Sequence, residues 1–196
     1  MTPQTAFRSD ERFTQADFRT WLEERPGADI NRYELLRGRI IATPPAGWPH
    51  GRLEATLVCW LGERVHKNKL GVVQGSSAGY DLPSGDTVEP DASYVSRARL
   101  AAGPAPQSGR FLRIVPDLAV EIFSPATARR DRTEKKAIYE RNGVREYWLV
   151  DAEKRTVAVF RLRKGQYGPA RTFSRGSFKS GVVPGLIVSV EEVFAS

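Results

Sequence analysis

Residues 116–125, PDLAVEIFSP, constrain the fold of this chain more than any other stretch. Leu118, Ala119, Val120, Ile122 and Phe123 form a near-continuous apolar run, the pattern of a strand covered on both faces. Apolar residues at helical spacing then predict a helix over 128–142, ended by Gly143. A second apolar strand follows at 147–150. Strand, helix and strand in this order form a βαβ unit, expected to pair in parallel with a right-handed crossover. Inside the first of these strands stands Glu121. A carboxylate there costs several kcal/mol unless an arginine, a lysine or a metal ion compensates it. The strand pattern leaves a paired structural carboxylate and a site residue equally open.

Around this unit the chain reads as α/β, a mixed sheet flanked by helices with added antiparallel strands. Its 196 residues suit one domain, taken as 13–196, behind a loose N-terminal tail over 1–12. Thr14 and Asp17 cap a short helix to about residue 24, which Pro26-Gly27 breaks. Arg32–Leu36 and Arg39–Thr43 read as strands joined by a tight turn at Arg37-Gly38. Pro49 opens an amphipathic helix in which Leu53, Leu57, Trp60, Leu61 and Val65 recur every three or four residues. Strands are expected at 72–74, 79–82 and 87–95, then a loop over 97–109. Antiparallel strands fill 156–190, with turns at Lys164-Gly165 and Pro184-Gly185.

No apolar run approaches the ~18–20 residues of a membrane-spanning helix, and no secretory signal opens the chain. The single Cys59 excludes an internal disulfide and a cysteine-based metal cluster. A cytoplasmic protein is expected. The formal charge is +7, and all of the excess lies in residues 101–196. Residues 154–179 carry eight basic side chains and no acidic one. That suits a polyanion such as nucleic acid; a solvated basic face is the other reading. Gly75 to Gly79 match the G-x-S-x-G of a nucleophile elbow, but no histidine follows His66, so a Ser-Asp-His hydrolase is excluded.

Three further residues suggest chemistry when taken with Glu121. Asp91 follows Pro90 in a strand-like segment, VEPDASYV. Lys135 shares its helix face with Ala128, Asp131, Ile138, Tyr139 and Asn142, so it turns to the sheet, whereas Lys136 points about 100° away towards solvent. Two carboxylates can hold Mg²⁺ through hard oxygen ligands, with Mn²⁺ able to substitute. A lysine can orient the attacking water or stabilise charge on a phosphorane. His50 sits in the first turn of the long helix, where the positive end of the helix dipole favours a neutral imidazole. Asp131 and Tyr139 flank Lys135 by one turn each.

The chain resembles the Uma family of restriction-endonuclease-like proteins, a branch of the PD-(D/E)XK nuclease superfamily. The matching stretches are YELLRG (33–38), His50, VEPDASYV (88–95), PDLAVEIFSP (116–125), DRTEKKAIYERNGVREYWLVD (131–151) and PGLIVSVEEVF (184–194). The resemblance implies a restriction-endonuclease-like core with Asp91 and Glu121 as metal ligands. It implies a further ligand in Glu34, directly or through water, with His50 able to bond Glu34 or a substrate phosphate. Phe123 stands where the superfamily's usual lysine would be, and Lys135 takes its place from the helix. The implied activity is Mg²⁺-dependent hydrolysis of DNA phosphodiesters by an endonuclease, with a homodimer as one way to cut both strands. A catalytically inactive nucleic-acid-binding or interaction module, and an enzyme acting on another phosphate ester, are the alternatives.

Overall fold

The computed structural model describes residues 7–25, 30–124 and 127–195. The expected Pro26-Gly27 break and Pro125 lie outside them. Leu118–Phe123 pairs in parallel with Glu146–Asp151, in register from Leu118 opposite Glu146 to Phe123 opposite Asp151. Antiparallel strands extend this pair into a seven-stranded mixed sheet. Ala92–Ser96 and then Gly71–Gly75 add on one side. Thr156–Arg163 adds on the other and carries Gln166–Tyr167 and Arg171–Phe173.

Both faces of the sheet are covered, as the apolar run requires. Leu118, Val120 and Ile122 pack in one cluster with Leu53, Leu57, Leu61 and Val65 of the long helix His50–Lys67. Each such fully buried side chain contributes about 1.5–3 kcal/mol. Ala119 faces the other way, into a cluster with Ile138 and Tyr139 of the crossover helix. Because strand side chains alternate, Glu121 shares the face of Ala119 and is aimed at that helix.

A second, five-stranded sheet runs in the order Phe7–Arg8, Arg39–Thr43, Arg32–Leu36, Thr87–Val88, Tyr80–Asp81. Its hairpin turns at Arg37 (φ 54°) and Gly38 (φ 76°), the two left-handed residues of the tight turn expected there. Helix Gln15–Glu23, with a capping box between Thr14 and Asp17, packs Phe18 against Tyr33, Leu35, Ile40 and Ala42.

Four expectations need correcting. The tail over 1–12 is partly an edge strand, because Phe7 and Arg8 pair with Ala42 and Ile41. The strand expected over 87–95 is two strands, Thr87–Val88 and Ala92–Ser96, in different sheets. Pro90 has no N–H to donate to a ladder, and the chain passes between the sheets at Glu89-Pro90-Asp91. The loop expected over 97–109 begins with a short helix, Arg97–Ala102, capped by the Ser96 hydroxyl. The crossover helix is regular over Ala128–Arg130 and Lys136–Arg141 but passes through a π turn, Asp131–Lys135. Such turns are frequent at functional sites.

Part of the basic run is structural. Glu146 is fully buried at the start of its strand and accepts hydrogen bonds from Trp148 Nε1 (2.8 Å), Ser180 Oγ (3.0 Å), Gly181 N (2.7 Å) and Arg161 Nε (3.0 Å). Arg161 Nη2 also donates to the Lys179 carbonyl at 2.5 Å. Arg161→Ala is therefore expected to lower stability by about 1–3 kcal/mol, the scale of an under-satisfied buried polar group. Urea denaturation checks it. A change within about 0.5 kcal/mol, ordinary for a surface site, would show that the other three donors suffice for Glu146.

Candidate active site

Where the two sheets meet, five carboxylates are buried together: Glu34, Glu89, Asp91, Glu121 and Asp131, none more than 8% exposed. The cations set among them are Lys135, Arg32 and Arg130.

Asp91 occupies the joint between the sheets and is fully engaged. Its Oδ1 accepts from Arg32 Nη1 at 2.7 Å. Its Oδ2 accepts from the backbone N–H of Ile122 at 2.7 Å and lies 3.1 Å from His50 Nε2. Burial works against the charge, but the His50 hydrogen bond and the Arg32 guanidinium outweigh it and hold the carboxyl down at about 2. The same contact corrects the expectation for His50. Burial alone would lower its pKa; the bond to Asp91 and that residue's charge raise it instead, favouring imidazolium. Its partner is Asp91, not Glu34.

Glu121 and Glu34 share one ammonium. Lys135 is 1% exposed, and its Nζ lies 2.5 Å from Glu121 Oε1 and 2.8 Å from Glu34 Oε1. Tyr139 donates to the same Glu121 oxygen at 2.6 Å. Glu34 also accepts from the Glu89 N–H at 2.9 Å. For Lys135, burial opposes the charge, but Glu121, Glu34 and Asp131 prevail and raise its pKa. Glu34 stays below the usual carboxylate range because Lys135 and Arg130 overcome its burial. Glu121 does not. Burial pushes it up to about 8, Lys135 pulls it back, and the charges of Asp91, Asp131 and Glu34 push it further up. Glu89 is likewise pushed up to about 7 by burial and by Glu34.

All five expected site residues thus converge, although the nuclease resemblance still needed independent support. The family model described as "Putative restriction endonuclease", Uma2, matches residues 16–191. The chain belongs to the Uma2 family. A crystal structure of a putative nuclease of the DUF820 group from Anabaena variabilis superposes with a TM-score of 0.76 at 20% identity, covering 93% of this chain and 98% of that one. At that identity the likeness shows the fold: the restriction-endonuclease-like α/β core. No curated protein matches the chain.

In this Uma2 protein the carboxylates open onto a cleft of about 390 Å³ lined by Arg32, His50, Asp91, Glu121, Arg130 and Asp131, with residues 43–49 and Phe123 forming much of the remaining wall. Neither Glu34 nor Lys135 lines it. Phe123, at the position of the superfamily lysine, stacks under the Arg132 guanidinium at 4.3 Å. Lys136 is not simply solvated, as its spacing suggested; it is half-buried over the Phe160 ring at 5.0 Å.

Glu54 was not singled out in the sequence, although it lies one helical turn after His50. Its carboxylate joins His50 and Asp91 in a group whose ligand atoms lie within 4.8 Å of one another. Ser76, in the rejected G-x-S-x-G segment, holds it through its N–H (3.2 Å) and hydroxyl (2.7 Å). The basic run lies elsewhere. Arg161, Arg163, Arg171 and Lys179 line a separate groove of about 400 Å³. Thr156 pairs with Asp151, beside the cleft-lining Ala152, whereas Arg161 pairs with Glu146 at the opposite end of the strand. The aromatics interleaved with the run are packing residues: Phe160 stacks on Tyr147, and Phe173 on Phe178.

Proposed function

We propose that this Uma2 protein is a divalent-metal-dependent DNA endonuclease whose ion is held at Asp91, with Mg²⁺ the natural ion and Mn²⁺ a substitute. One observation carries the reading: five buried carboxylates face three cationic side chains, so the site holds surplus negative potential. That surplus keeps Glu121 and Glu89 well above the usual carboxylate range and raises Asp131. A site short of positive charge is built to receive a cation.

The donors suit a hard ion, since Asp91 and Glu121 present carboxylate oxygens to the cleft, and Glu54 and His50 lie within reach of Asp91. Among the described residues, Asp131 Oδ1 and His50 Nδ1 are buried without a hydrogen-bond partner, as groups awaiting a ligand are. When bound, the ion supplies charge neutralisation at phosphate and a water of lowered pKa. The chain's own residues do the rest. Arg32 and the Ile122 N–H fix the Asp91 carboxylate in one orientation. Glu34 holds the Lys135 ammonium, so we assign it to positioning that lysine rather than to the ion. Lys135 is kept charged against Glu121, where it can meet negative charge developing on the phosphoryl group.

The test is cleavage of plasmid DNA and of a small phosphodiester, with and without Mg²⁺, Mn²⁺ and Ca²⁺. Metal-dependent cutting of DNA is expected. Hydrolysis of the small diester alone would make the protein a different phosphoesterase. Proton linkage gives a second check. Glu121 must lose its proton to ligate, so Mn²⁺ affinity is expected to rise by up to tenfold per pH unit below about 8 and to level off above it. Calorimetry in buffers of different ionisation enthalpy should find about one proton released at pH 7. Affinity flat from pH 6 to 9 would remove Glu121 from the ligand set.

A further inference from the structure

Trp48 is the most exposed of the large apolar side chains among the described residues, at 80%, and it lines the same cleft as Asp91 and Glu121. Exposed apolar residues scattered over a surface need no explanation. An indole at the rim of an anionic cleft does. The segment that presents it, residues 44–49, contains Pro44, Pro45 and Pro49, whose rings fix φ at three of six positions. It ends at His50, whose ring is bonded to Asp91. The indole is therefore carried on a restrained segment anchored beside the carboxylates. Arg52 supports it, with its guanidinium 5.7 Å from the ring centroid. Hydrogen bonds to the carbonyls of Ala195 (2.6 Å) and Val193 (3.4 Å) hold that guanidinium in place.

We infer that Trp48 is a stacking platform for a nucleobase next to the phosphate held in the cleft, and that the protein prefers DNA in which this base is unpaired. The inference rests on the nuclease reading and adds the substrate form to it. Every base offers a π-face, so stacking on an indole needs no particular sequence. In a duplex both faces are already covered by neighbouring bases, so the base must first be unstacked. A single strand, a flap or an opened junction presents it at less cost. The basic groove at the other end of the sheet does not line this cleft, so selection at the cleft falls to the indole.

Binding in Ca²⁺ buffer tests this, by anisotropy of a labelled single strand, the matching blunt duplex and an all-abasic strand of equal length. Wild type should bind the single strand more tightly than the duplex. Trp48→Ala should weaken single-strand binding by about 5- to 150-fold, the scale of losing one base–aromatic stack. Trp48→Phe should keep most of it, and both variants should bind the abasic strand as wild type does. The side chain is exposed, so neither change threatens the fold. Unchanged single-strand affinity in Trp48→Ala overturns the stacking inference and leaves the nuclease reading standing. An equal loss on the abasic strand overturns it as well, because the contact would then be to the backbone. If wild type binds none of the three, both readings fall.

Discussion

Lys135→Ala is expected to lower the rate of DNA cleavage by ~10²–10³, the scale for losing one preorganised charge-stabilising group, while Lys136→Ala leaves it nearly unchanged. The two lysines are neighbours in sequence and differ in surroundings. The Lys135 ammonium is buried between Glu121 and Glu34 at 2.5 and 2.8 Å. Lys136 lies half-buried over Phe160, a contact worth about 0.5–1 kcal/mol of stability. The structure also adds a cost that the residue pattern alone does not show. Without Lys135, Glu34 and Glu121 are left buried without their shared ammonium, and breaking a buried pair in this way costs about 3–5 kcal/mol. The cleavage assay is therefore run beside urea denaturation, at a temperature where each variant is folded. Lys135→Arg separates the roles, because it keeps the charge but changes the shape of the donor. It should recover more stability than rate. Full activity in folded Lys135→Ala would remove this lysine from the chemistry, and equal losses at 135 and 136 would reduce the effect to general electrostatics.

The βαβ core was legible because continuous apolar residues have few other uses: Leu118 to Ile122 had to be covered on both sides. Lys135 was legible for a similar reason, since helical spacing alone turned it towards the sheet. What escaped was whatever depends on a partner distant in the chain. The burial of Val88 and of Ala92 to Val95 reads as one strand, and only the missing N–H of Pro90 hints at the passage between sheets that positions Asp91. The helix dipole argued for a neutral His50, but Asp91, 41 residues away, reverses that preference. Glu54 looked like an ordinary helix-surface glutamate, and its relation to Asp91 exists only in three dimensions. The basic run was read from composition, yet Arg161 belongs to Glu146 and the remaining groove residues lie away from the cleft.

Asp91→Asn is expected to abolish Mn²⁺ binding and to reduce cleavage at least as far as Lys135→Ala does. Asp91 belongs both to the pair with Glu121 and to the group with His50 and Glu54, so any ion position the site offers depends on it. Asparagine keeps an acceptor for Arg32 or the Ile122 N–H but removes the charge. Glu121→Gln and Glu54→Gln then locate the ion. Loss of binding in the first alone places it between Asp91 and Glu121; loss in the second alone places it on the His50 side. Glu121→Gln carries its own signature in stability. The carboxyl is pushed from 4.5 to about 8 by burial, so the folded state holds the proton more tightly than the unfolded state does. Its contribution is present in full below pH 4.5 and is lost as the pH rises towards 8. Glutamine mimics the protonated form, so the variant should match wild type at low pH and exceed it in metal-free buffer above pH 8. Calorimetry with Mn²⁺ and denaturation across pH 4–9 read both effects. Wild-type Mn²⁺ affinity in Asp91→Asn would put the ion outside this cleft.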